Sequence, residues 1–109
     1  MAVSTMTELR SLGQSDRLPD NYVNPYYLDD LKRRVSVARV AGKLYAFDDL
    51  CSFDSAPLSA GLLTGTTLMC QCDGSQFDVT SGRVLRGPAT RTLKTYEVRE
   101  KNGEIQVRV

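Results

Sequence analysis

The sequence predicts an all-β fold, an antiparallel sandwich or barrel with a small two-loop subdomain set into it. Three observations predict it. Residues 34–40 (RVSVARV) and 43–48 (KLYAFD) flank Ala41-Gly42 as the arms of a hairpin. Residues 93–101 and 104–109 flank Asn102-Gly103 in the same way. Between the hairpins, residues 48–89 are crowded with turn formers: Gly61, Gly65, Gly74, Gly82, Gly87, Pro57 and Pro88.

From the start of the chain, residues 7–12 read as a strand. Residues 26–33 (YYLDDLKR) fit either a strand with a turn or one helical turn. In the first hairpin Val35, Val37 and Arg39 alternate onto one face. The middle segment has room for short strands at 67–70 and 76–79, with Thr80-Ser81-Gly82 turning into a third at 83–85. Asn-Gly tolerates the positive φ that a type I′ turn needs. That registers the last strand so that Ile105, Val107 and Val109 face the core while Glu104, Gln106 and Arg108 face water. Tyr22, Tyr26, Tyr27 and Tyr45 are expected to form one aromatic group in core or sheet packing. The expected organisation is a single domain, 1–109. Base strands occupy about 1–47 and 89–109, and the loop subdomain about 48–88.

Composition narrows the function. The chain has 109 residues, with 14 Lys+Arg against 13 Asp+Glu and a net charge of +1. Displacing counterions from phosphates needs a basic excess, so no nucleic-acid partner is expected. No apolar run approaches the roughly 18 residues of a membrane span, and the first 15 residues lack a signal-peptide core. A cytoplasmic protein with reduced thiols is the expectation. The chain has no histidine. That excludes Ser-His-Asp and Cys-His catalytic units and any metal site that needs imidazole. Three cysteines are too few for a disulfide framework.

Two segments carry the chemistry: Cys51-Ser52-Phe53-Asp54-Ser55-Ala56-Pro57-Leu58 and Cys70-Gln71-Cys72-Asp73-Gly74-Ser75-Gln76-Phe77-Asp78. Residues 54–69, 16 in number, separate Phe53 from Cys70. These segments resemble the two cluster-binding loops of Rieske-type ferredoxins, C-x-H and C-x-x-H at about this gap. Pro57-Leu58-Ser59 with Gly61-Leu62-Leu63, and Ser81-Gly82 after the second loop, are similar to the family's flanking segments. Gly87-Pro88-Ala89 resembles its proline loop, and Tyr96-Glu97-Val98 with the final hairpin its last strands. The resemblance implies a Rieske-like fold, a [2Fe–2S] cluster, and a protein partner such as a reductase or oxygenase component.

A Rieske centre holds one iron with two thiolates and the other with two imidazoles. Cys51 and Cys70 stand at the thiolate positions, but Phe53 and Asp73 stand at the imidazole positions. Phenylalanine has no lone pair to donate. Cys72 falls where some members carry a disulfide cysteine, and its expected partner position is Ala56. The expectation is therefore no cofactor: a Rieske-like module without its cluster, Phe53 plugging the vacated space, serving as a binding or accessory subunit. The small subunit of NADH-dependent nitrite reductases is similar in this respect. Cys51 and Cys70 are expected close together, since in the family both bind one iron.

Three alternatives stay open. One is an electron carrier with an atypical centre on Cys51, Cys70 and either Asp73 or Cys72. Another is a cofactor-independent enzyme using Asp73, Asp54 and Ser75 around the vacated pocket. The last is zinc on Cys51, Cys70, Cys72 and Asp73. Against each stands a plainer account: buried thiols as small hydrophobes, a solvated loop acid, a turn hydroxyl.

Overall fold

A computed structural model describes residues 9–51 and 56–109. The described residues contain ten strands: β1 (Leu9–Gln14), β2 (Tyr22–Leu28), β3 (Arg33–Val40), β4 (Lys43–Asp48), β5 (Leu62–Thr64), β6 (Thr67–Met69), β7 (Gln76–Asp78), β8 (Val84–Arg86), β9 (Thr95–Lys101) and β10 (Glu104–Arg108). Single 3-10 turns lie at Ser15–Arg17 and Leu58–Ala60. The all-β expectation holds. Among the described residues, no helix is long and apolar enough to cross a membrane.

The strands form two antiparallel sheets. The larger runs β1-β10-β9-β4-β3-β2 and the smaller β5-β6-β7-β8. Turn chemistry sets the registers. Ala41 and Gly42 have φ of 52° and 81°, and Asn102 and Gly103 have 53° and 77°. Both pairs adopt the left-handed conformation of a two-residue hairpin turn. Val40 therefore pairs with Lys43, and Lys101 with Glu104. Pro25 cannot donate to a ladder, and β2 lies at the sheet edge, where that costs little. Residues 26–33 resolve into the end of β2, a turn with Lys32 at φ 50°, and the start of β3.

Two apolar cores result. One lies within the large sheet: Leu18, Leu28, Val35, Val37, Ala46, Ile105 and Val107. The other joins the large sheet to the small one: Ala38, Phe47, Cys51, Leu58, Leu68, Cys70, Phe77, Val79, Ala89 and Leu93. Strand β3 serves both, with Val35 and Val37 in the first core and Ala38 in the second. This is why Val35, Ser36, Val37 and Ala38 are all fully buried, although alternation alone would leave one face wet. Arg39 shares the Val37 face. It donates to the Leu18 and Ser15 carbonyls at 2.7 and 2.9 Å and pairs with Glu100 on β9.

The tyrosines do not form the expected single group. Tyr26 packs on the first core and Tyr45 on the second, while Tyr22 and Tyr27 are exposed. Cross-strand pairing puts Tyr22 beside Arg39 and Tyr27 beside Arg34, on the edge strand.

Candidate functional site

The first loop leaves β4 and is closed by backbone pairing. Leu50 bridges Pro57, and the Cys51 N–H donates to the Ala56 carbonyl at 2.8 Å. Its base is held by Asp49, whose carboxylate is fully buried. That carboxylate accepts from the Ser36 hydroxyl at 2.6 Å, the Ser59 N–H at 2.8 Å and the Arg34 guanidinium. Charge burial needs such complete pairing. Sequence reasoning missed Asp49; its only signal is an acid between a strand and a run of loop residues.

The second loop turns tightly between β6 and β7. The Cys70 N–H donates to the Ser75 carbonyl at 2.7 Å, and the Gly74 N–H to the Cys70 carbonyl at 3.0 Å. Gly74 sits at φ 80°, where a side chain would be strained. Asp73 caps this turn, with Oδ1 accepting from the Ser75 N–H at 2.7 Å. Ser75 is fully buried and accepts from the Ala89 N–H at 3.0 Å, tying the Gly87-Pro88-Ala89 segment to the loop. The Gly87–Pro88 bond is cis.

These constraints bring Cys51, Cys70 and Asp73 together. One donor atom from each lies within 4.8 Å of the other two. The Cys51 thiol donates to Asp73 Oδ2 at 3.5 Å. Both thiols are buried, and Asp73 is half-buried. All three cysteines are thiols rather than disulfides. Cys72 is exposed and outside the donor group, so the four-ligand zinc arrangement that includes it is not assembled. Ala56 packs against the second core. Phe53 and Asp54 lie outside the described residues.

Residues 9–97 match the family model for the Rieske [2Fe-2S] domain. The ferredoxin component of the naphthalene 1,2-dioxygenase system of Pseudomonas putida is 35% identical over 75 residues, 69% of this chain and 72% of that one. The ferredoxin component of the naphthalene 1,2-dioxygenase/salicylate 5-hydroxylase systems of Ralstonia sp is 28% identical over 103 residues, 84% of this chain and 99% of that one. Among solved structures, the Sphingomonas yanoikuyae B1 ferredoxin superposes with a TM-score of 0.86 at 26% identity, covering 92% of this chain and 97% of that one. A chain of the complex of reduced oxygenase and oxidized ferredoxin in carbazole 1,9a-dioxygenase gives 0.85 at 27% identity, covering 91% of each.

These matches overturn the expectation of no cofactor. The family is defined by a [2Fe–2S] centre, and the match spans both loops. The expectation weighed two lost imidazoles above everything retained. The donor chemistry tests the fit: two thiolates suit iron–sulfur ligation, and a carboxylate is a hard oxygen donor for ferric iron. Three protein donors are in place among the described residues, with no imidazole among them.

Proposed function

Because the chain belongs to the Rieske [2Fe-2S] domain family, we propose that it is a Rieske-type ferredoxin whose cluster is held by Cys51, Cys70 and Asp73. It would carry single electrons between a reductase and an oxygenase component, in the cytoplasm. This reading replaces the cluster-free accessory subunit. The observation that supports it is the convergence of two buried thiols and one carboxylate between two loops, on a scaffold shared with ferredoxin components of dioxygenase systems.

A [2Fe–2S] cluster, when bound, takes up and gives back one electron. The protein supplies the rest. Cys51 and Cys70 lie in an apolar core that excludes water. Ser75 is spent on the Ala89 N–H and holds the proline segment in place. Asp73 brings an anionic oxygen where the family pattern has an imidazole. A negative donor favours the ferric state, so the potential should fall below the Rieske range, which starts near about −150 mV.

The test is anaerobic production followed by iron and sulfide analysis, visible spectroscopy and redox titration. The expected result is a coloured protein with equal iron and sulfide and a potential below that range. The double change Phe53→His with Asp73→His should then raise it. Colourless protein without iron or sulfide, made in a host that loads other Rieske ferredoxins, overturns the reading.

A further inference from the structure

We propose that the Cys51–Cys70–Asp73 group also takes a single divalent ion of the zinc class, with two thiolates and one carboxylate as ligands and water in the fourth position. The inference concerns the same donors as the ferredoxin reading but does not depend on it.

Geometry carries the argument. A tetrahedral ion with bonds of about 2.3 Å to sulfur and about 2.0–2.2 Å to oxygen sets sulfur and oxygen about 3.5–3.7 Å apart. Cys51 Sγ and Asp73 Oδ2 are 3.5 Å apart. All three donor atoms fall within 4.8 Å of one another, close enough for small side-chain movements to bring them onto one ion.

The donors are also pre-oriented. The Ser75 N–H holds Asp73 Oδ1 at 2.7 Å, which leaves Oδ2 facing Cys51. Partners of this kind fix a ligand's orientation and raise its affinity for metal. Two thiolates and a carboxylate match the donors of zinc, and three protein ligands with one open position is a recognised zinc arrangement. A divalent charge also offsets the three negative charges the deprotonated ligands would otherwise place beside a buried core.

The experiment uses the full chain, stripped by a chelator under reductant and titrated with Co²⁺ as a spectroscopic probe for Zn²⁺. Expected are one Co²⁺ per chain, a thiolate-to-cobalt charge-transfer band, the visible bands of a tetrahedral ion, and loss of all of these on adding Zn²⁺. Asp73→Ala should weaken binding by at least the roughly 10–100-fold that lost supporting contacts cost in zinc sites. Cys72→Ser should leave it unchanged. If Asp73→Ala does not fold by circular dichroism, Asp73→Asn, which keeps the side-chain size, takes its place with the same expected direction. A folded protein that gives no charge-transfer band overturns the inference. So does a folded Asp73 variant with unaltered affinity, or loss of binding in Cys72→Ser. Iron and sulfide loading tests the ferredoxin reading separately, and either can fail while the other stands.

Discussion

Asp49 is the carboxylate on which the first loop hangs, and Asp49→Ala should be strongly damaging. The substitution strips three partners at once. The Ser36 hydroxyl, fully buried at 2.6 Å, and the Ser59 N–H at 2.8 Å each lose an acceptor. A buried donor left without a partner costs about 1–3 kcal/mol. Arg34 loses its ion pair as well, but its side chain is 44% exposed, so water screens that loss and it adds at most about 1 kcal/mol. Together these give about 2–7 kcal/mol. A domain of this size has about 5–15 kcal/mol in all. The assay is urea unfolding followed by circular dichroism, with an unchanged m-value as the check on two-state behaviour. Two controls give the order. Ser36→Ala should cost about 1–2 kcal/mol, and Arg34→Ala, which leaves the buried carboxylate without its counter-charge, about 3–5 kcal/mol. An Asp49→Ala protein within about 1 kcal/mol of wild type, or an Arg34→Ala protein no more damaged than Ser36→Ala, would refute the assignment of Asp49 as the anchor.

Backbone crowding supplies a second set of expectations. A Cβ at Gly61 would lie 2.1 Å from the Met69 carbonyl oxygen, and one at Gly82 2.2 Å from that of Leu93. Gly61→Ala and Gly82→Ala should each shift the urea midpoint well below that of Gly103→Ala, which meets nothing within 4 Å and carries only the left-handed penalty of about 1–2 kcal/mol. Ser75→Ala leaves the Ala89 N–H without its acceptor and should cost about 1–3 kcal/mol in the same assay. Tyr96 reports on alkaline pH. Burial first, then its hydrogen bond to Asp48, pushes the phenol above its ordinary value of 10.0. A raised folded-state value adds stability that is fully present below pH about 10 and is lost as pH climbs through the folded-state ionisation. Relative to Tyr96→Phe, wild type should therefore lose stability above that pH. Ultraviolet titration of the 5 tyrosines should show one ionising late. Simultaneous ionisation of all five would be inconsistent with the half-buried Tyr96–Asp48 contact.

Much of the fold was legible because its signals are local. Asn102-Gly103 and Ala41-Gly42 specify two-residue turns by their own conformational preferences, and both pairs adopt positive φ. Ile105 and Val107 follow by alternation along the strand that leaves the second turn. What failed depends on distant partners. Nothing beside Ser36 in the sequence says that a second sheet will cover it, and nothing beside Asp49 says that three donors will converge on it. Tyr22 and Tyr27 resemble core aromatics, yet only Tyr26 of the three on β2 packs on a core.

The site divides along the same line. The pairing of Cys51 with Cys70 was legible, because separated motifs at fixed gaps carried it through the resemblance, and their sulfurs do converge. The cofactor was misjudged because the loss of both imidazoles was weighed above Asp73 as an oxygen donor. Iron accepts harder and softer donors according to what is near it, and nearness is not written in one dimension. Asp73 is where the two kinds of information part. In the sequence it marks an imidazole lost. In space it is a carboxylate with one oxygen tied to Ser75 and the other turned toward the Cys51 thiol, a donor retained in another form.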